Sequence, residues 1–218
     1  LGEAVDALKD DVARLYYACA DTAGRGYATG TEHVLRKVLR DELFEGELES
    51  TARVSVARNE YEAVQVVLLS YDKALEDVSV TVGPLRGPDG AVLPAESVRI
   101  DAIDFVKTRQ PSYEVEYVGW IPDPLMGPGP FDVEAGKLRP VWVTVHPPED
   151  ARAGVYKSEV IVKPANAAEA RVPIEVTVWG FALPKQTHLK TAFALFENEL
   201  NAFYGDFSHE DLLGYYEF

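Results

Sequence analysis

The spacing of hydrophobic positions changes twice along this chain. Over residues 2–20, Val5, Leu8, Val12, Leu15 and Cys19 recur at three- and four-residue intervals, opposite Asp6, Lys9, Asp10, Asp11 and Arg14. That spacing is one face of an amphipathic helix, and Ala4, Ala7, Ala13 and Ala18 raise its propensity. The stripe predicts a helix packed on its own domain, with Cys19 a buried thiol; a partner surface is the alternative. Gly24, Gly26 and Gly30 then open a loop. Residues 31–44 fit a helix through Val34, Leu35, Val38 and Leu39, whereas 27–38 also reads as a strand that turns at the charges.

From about residue 51 the period becomes two. Residues 51–57, 78–82, 97–107, 138–146, 154–163 and 168–179 alternate, and 63–69 is a continuous apolar run interrupted by Gln65. Asp89-Gly90 suits the positive φ of a tight turn. Residues 108–136, rich in Pro, Gly and aromatics, read as one long loop. Short strands joined by turns, without intervening helices, predict an antiparallel β-sandwich.

After Leu183-Pro184 the pattern changes again. Residues 189–195 read as a buried strand, 198–204 and 208–216 as helix starts, and Ser208 with Asp211 three residues on resembles a cap, although a capping box proper has Glu or Gln there. A strand followed by helix begins an α/β unit. The expected division is 1–26 as helix and loop, 27–184 as sandwich, and 185–218 as the opening of a second domain. The start at Leu1 and the apolar ending predict a piece of a longer protein.

At 218 residues, with 47% hydrophobic and 26% charged positions, the composition is that of a globular protein. The net charge of -15 disfavours nucleic acid and anionic membranes as partners. No apolar run reaches the ~18–20 residues of a membrane-spanning helix. His33, His146, His188 and His209 lie far apart and the one cysteine has no companion, so no metal site and no bound cofactor is expected. Glu114 and Glu116 fall on one face of a strand, Asp101 and Asp104 on opposite faces; neither pair marks a glycosidase pocket. No catalytic residue is assigned. Glu197 and Asn198 are candidate substrate-binding residues because they follow the strand at 189–195, where α/β barrels carry their sites; a helix-start acid and cap is the plainer reading. In the aromatic loop, Tyr113, Tyr117, Trp120 and Phe131 could seal an interface or stack on sugars, with Trp120 the candidate contact. Glu60, Glu62 and Gln65 read as polar groups satisfied within the sandwich, and Asp123 as fixing the Pro-Asp-Pro loop.

Three stretches carry a family resemblance: ARNEYEAVQVVLL at 57–69, GWIPDPL at 119–125, and VWVTVHPPEDARAGVYKSEVIV at 141–162, continued by VPIEVTVWGFALPKQTHLKTAF at 172–193. Together they resemble the amino-terminal β-sandwich of family-123 glycoside hydrolases and their bacterial relatives. The resemblance implies a sandwich packed on a C-terminal (β/α)8 barrel whose first strand is 189–195, and it favours strand over helix for 27–38. It also implies a β-N-acetylgalactosaminidase in which the sugar's own acetamido oxygen attacks the anomeric carbon, with an Asp-Glu pair later in the barrel. Here Asp-Glu occurs only at Asp41-Glu42, which lies on no barrel strand, so no catalytic residue carries over. The expected role is a non-catalytic accessory portion of a bacterial hydrolase whose carbohydrate substrate is bound by the barrel; an extracellular or periplasmic place follows from the resemblance alone. A self-contained carbohydrate-binding or structural sandwich is the alternative.

Overall fold

The computed structural model describes residues 2–186, 188–190, 196–205 and 208–217. They divide into two compact units, Leu1–Leu183 and Pro184–Phe218. The first opens with helix α1 (Gly2–Ala20) and continues through strands β1 (Tyr27–Glu32), β2 (Glu47–Leu48), β3 (Ala52–Arg58), β4 (Glu62–Ser70), β5 (Leu75–Val82) and β6 (Val98–Lys107). It closes with β7 (Trp120–Leu125), β8 (Phe131–Val133), β9 (Leu138–Val145), β10 (Gly154–Lys163) and β11 (Ala170–Ala182). One sheet runs β2-β1-β4-β9-β6-β7 and the other β3-β11-β10-β5-β8. The expectation of a wholly antiparallel sandwich needs one correction, because β3 and β11 pair in parallel.

Period-two alternation puts Val54 and Val56 of β3, Val172, Ile174, Val176 and Val178 of β11, and Val141, Val143 and Val145 of β9 into a single core between the two sheets. Strand β4 is the exception in pattern because both its faces are covered. Val64, Val66 and Leu68 enter that core, while Val67 and Leu69 join a second cluster with Tyr17, Ala28, Val38, Phe44 and Leu138. A strand buried on both sides has no solvent face to alternate toward, so its sequence is a continuous apolar run. The Gln65 amide inside the run donates to the carbonyls of His33 and Arg36, at 2.9 and 2.8 Å. It thereby ties the 33–46 segment over the outer face of the sheet. That segment is irregular: β1 ends at Glu32 and neither the helix over 31–44 nor a strand reaching Val38 forms. Gly30 permits the seal, since a Cβ there would stand 2.3 Å from Cε1 of Phe44.

Helix α1 forms as expected but turns a different face inward. Leu8, Val12 and Leu15 are exposed, and so is Cys19; Tyr17 is buried, with Ala13 and Ala20 beside it. Two alanines let the helix approach the sheet closely. The Tyr17 hydroxyl also accepts a hydrogen bond from the Phe44 amide at 2.9 Å. The buried thiol predicted for Cys19 is therefore incorrect. Just past the helix, the Asp21 carboxylate accepts from the Arg25 amide (2.5 Å), Arg25 Nε (2.9 Å), the Gly26 amide (3.0 Å) and the Tyr71 hydroxyl (2.8 Å). Arg25 continues to Glu49, which accepts from the Thr29 amide and hydroxyl. This network ties the end of α1 to β1, to the turn after β2 and to Tyr71 just past β4.

The loop predicted over 108–136 is likewise too long. It contains β7, an edge strand with Pro122 and Pro124, and β8; at an edge the missing prolyl N–H costs no ladder bond. Glu114 and Glu116 lie in the irregular stretch before β7 rather than on one face of a strand. The turn at 88–90 does form, with Asp89 and Gly90 at φ 50° and 80°.

In the second unit, helices α2 (Glu197–Tyr204) and α3 (His209–Glu217) are present. The Ser208 hydroxyl accepts from the Asp211 amide, and the Ser208 amide donates to the Asp211 carboxylate at 2.9 Å, so aspartate completes the reciprocal box. The strand predicted at 189–195 falls at 191–195 outside the described residues.

Candidate functional site

No group of three or more His, Cys, Asp or Glu side chains that would hold a metal ion occurs among the described residues. Several of the carboxylates singled out in the sequence are engaged. Asp41 pairs with Lys137 at 2.8 Å, and Asp101, itself buried, with Arg99 at 2.8 Å. Asp104 meets Arg139 at 3.3 Å. Glu60 accepts from the Ala57 amide at 2.7 Å, closing the β3–β4 turn, and Glu62 from the amide of Ala63. His146 stacks on Tyr61 with centroids 3.8 Å apart.

The three candidate residues are not brought together. Trp120 begins the edge strand β7, half-buried, with the Arg40 guanidinium 4.4 Å and Lys107 Nζ 5.7 Å from its ring centroid. These cations take up ring surface that a sugar would need. Of its neighbours in the aromatic stretch, Tyr113 is exposed, Tyr117 is half-buried, and Phe131 packs on the main core under Arg139. Glu197 and Asn198 are exposed in the first turn of α2, where a carboxylate is favoured by the helix dipole.

An aromatic surface that the sequence reading missed lies on the outer face of the five-stranded sheet. Along β11 the inward residues end at Val178, so Thr177, Trp179 and Phe181 project outward. The register sets Arg53 and Lys157 beside Glu175, and Ser55 and Val155 beside Thr177. Beyond Val178 the strand leaves β10, and its register to β3 slips before Ala182. Trp179 is 42% and Phe181 50% exposed, with ring centroids 5.5 Å apart at 39°. Trp179 Nε1 donates to the Ser55 hydroxyl at 2.9 Å, which fixes the indole on the sheet. Arg58 Nη2 donates to the Gly180 carbonyl at 2.8 Å and holds the strand's last stretch. The signal was parity: a tryptophan two residues past an outward threonine, in a strand whose other parity is core from Ala170 to Val178.

Against this fold, the model of the family "Glycoside hydrolase 123 N-terminal domain" matches residues 37–164, more than half of the chain. The chain belongs to that family. A GH123 N-terminal domain is an accessory domain of a glycoside hydrolase, a class acting on carbohydrate. Among solved structures, a family 123 glycoside hydrolase from Clostridium perfringens, described for glycolipid glycan hydrolysis, superposes with a TM-score of 0.61 at 14% identity over 72% of this chain. The chain spans 28% of that enzyme's length. The PapD-like domain 7 of human CEP192 aligns over 59% of this chain and 82% of its own, at 12% identity and a TM-score of 0.36. No curated protein matches the chain. Among the described residues of this GH123 N-terminal domain, no helix is long and apolar enough to cross a membrane.

Proposed function

We propose that this chain is the non-catalytic amino-terminal portion of a bacterial β-N-acetylgalactosaminidase, and that its catalytic (β/α)8 barrel begins near residue 185 and extends past Phe218. The observation that carries the reading is the family match over 37–164, which falls on the two-sheet core. The similarity in fold to a longer enzyme, of which the matched stretch is 28%, supports a large remainder. The sandwich, residues 27–184, packs on the barrel and supports it. The barrel binds the sugar, whose acetamido oxygen displaces the aglycone while an Asp-Glu pair there orients the acetamide and supplies the acid. Glu197 and Asn198 are the proposed substrate contacts of this chain, on the expectation that the barrel's first strand precedes them.

The test compares the full gene product with this chain on nitrophenyl N-acetyl-β-galactosaminide. Hydrolysis by the longer protein alone is expected. Equal activity in both, or an inactive longer protein, would overturn the assignment.

A further inference from the structure

We propose that the outer face of the five-stranded sheet carries a carbohydrate-binding site of its own, built on Trp179 and Phe181 and suited to a neutral oligosaccharide. A pyranose has one face of C–H groups and a rim of hydroxyls. It therefore needs an apolar ring surface to lie on and hydrogen-bonding groups around that surface. Both are present. The indole N–H is already satisfied by Ser55, so Trp179 presents its π-face without a polar edge that a ligand would have to pair. The tilted Phe181 ring extends that surface across Gly180, where even a Cβ would have nothing within 4 Å.

The rim follows from the register. The Ser55 hydroxyl accepts from the indole and keeps its own proton to donate. Thr177 beside it offers a second hydroxyl. One row further on, Glu175 is held by Lys157 at 2.7 Å and stays an ionised acceptor. These donors and acceptors match the hydroxyl rim of a sugar.

The same surroundings argue against a protein partner. Next to the aromatic pair the face is occupied by ion pairs, Lys157–Glu175 and, further along, Arg171 with Glu159 and Glu169 at 2.8 and 2.6 Å. A stable protein interface covers on the order of 800 Å² per partner around an apolar centre. Two rings bordered by exposed ion pairs match one or two sugar units instead. A neutral ligand also fits a chain of net charge -15, which disfavours polyanionic glycans.

The experiment titrates the 218-residue chain with N,N′-diacetylchitobiose, lactose and cellobiose, following the three tryptophan indole N–H signals by NMR. At least one sugar is expected to shift the Trp179 signal saturably and leave that of Trp120 in place. Trp179→Ala and Phe181→Ala should each weaken that binding about tenfold, the loss of one stacking contact. Trp179→Phe should retain most of it, which separates loss of the platform from loss of the fold, and Trp120→Ala should leave it unchanged. Three results would overturn the proposal: no shift at the solubility limit of all three sugars; equal weakening by Trp120→Ala; or concentration-dependent self-association that Trp179→Ala abolishes. Binding by this chain does not depend on hydrolysis by a longer protein, so the two proposals fail separately.

Discussion

Replacing Asp21 with asparagine tests the network that holds α1 on the sandwich. The carboxylate is fully enclosed and accepts four hydrogen bonds, two from backbone amides, one from Arg25 Nε and one from Tyr71. It sits just past a helix C-terminus, where the dipole disfavours a negative charge, so Arg25 is required to balance it. Asparagine keeps the shape but turns an NH2 toward donors, leaving buried N–H or O–H groups unpaired at about 1–3 kcal/mol each. Breaking a buried ion pair costs about 3–5 kcal/mol, and Arg25 keeps Glu49 as a partner at 2.8 Å, which places the expected loss near the lower end, about 3 kcal/mol. Urea unfolding read by far-ultraviolet circular dichroism measures it directly.

The pH dependence gives a second readout of the same variant. Burial alone would raise the Asp21 carboxyl, but the hydrogen bonds from Tyr71 and Arg25 outweigh it and hold the group below the ordinary carboxylate range. Its contribution is therefore complete above the unfolded value of about 3.9 and is lost as pH falls through the lower folded value. Asp21→Asn should flatten that part of the acid limb. A loss below about 1 kcal/mol at neutral pH, with an unchanged acid limb, would refute the reasoning.

On α1, Tyr17→Phe should cost about 1–2 kcal/mol, because the Phe44 amide loses its acceptor in a buried place. Leu15→Ala, on the exposed face, should stay within about 0.5 kcal/mol in urea titrations; the reverse order would mean that the apolar stripe is the packed face after all. Gln65→Leu should leave the carbonyls of His33 and Arg36 unpaired, and amide exchange should accelerate over 33–46 but not in β10 or β11. Uniform acceleration would show that Gln65 supports the sheet as a whole rather than the segment over it.

Strands were legible wherever one face meets the core and the other meets water, as in β3, β9 and β11. Where that asymmetry disappears, the pattern misleads. The apolar run of β4 revealed burial without revealing that α1 and the 33–46 segment supply the second cover. The stripe of α1 assumes that the largest aliphatic residues choose the packed face, whereas Tyr17 between Ala13 and Ala20 packs closer and carries a hydrogen-bonding hydroxyl. Proline made β7 look like loop because its lost donor matters only inside a sheet, and edge position is a property of the whole topology. The same holds for the parallel pairing of β3 with β11, strands more than a hundred residues apart. Trp120 stood out by its rigid surroundings, yet Arg40, eighty positions away, covers part of its ring. Trp179 was within reach of parity alone, but an outward tryptophan is conspicuous only after the inward register of β11 is fixed.

The most direct test of the account is the natural coding sequence downstream of the codon for Phe218. Continuation for a few hundred residues of alternating strand and helix, with an adjacent Asp-Glu pair near the fourth such strand, is the result expected of the amino-terminal portion of a barrel hydrolase. A stop codon directly after Phe218 would contradict it and leave the sandwich to act by its own surface.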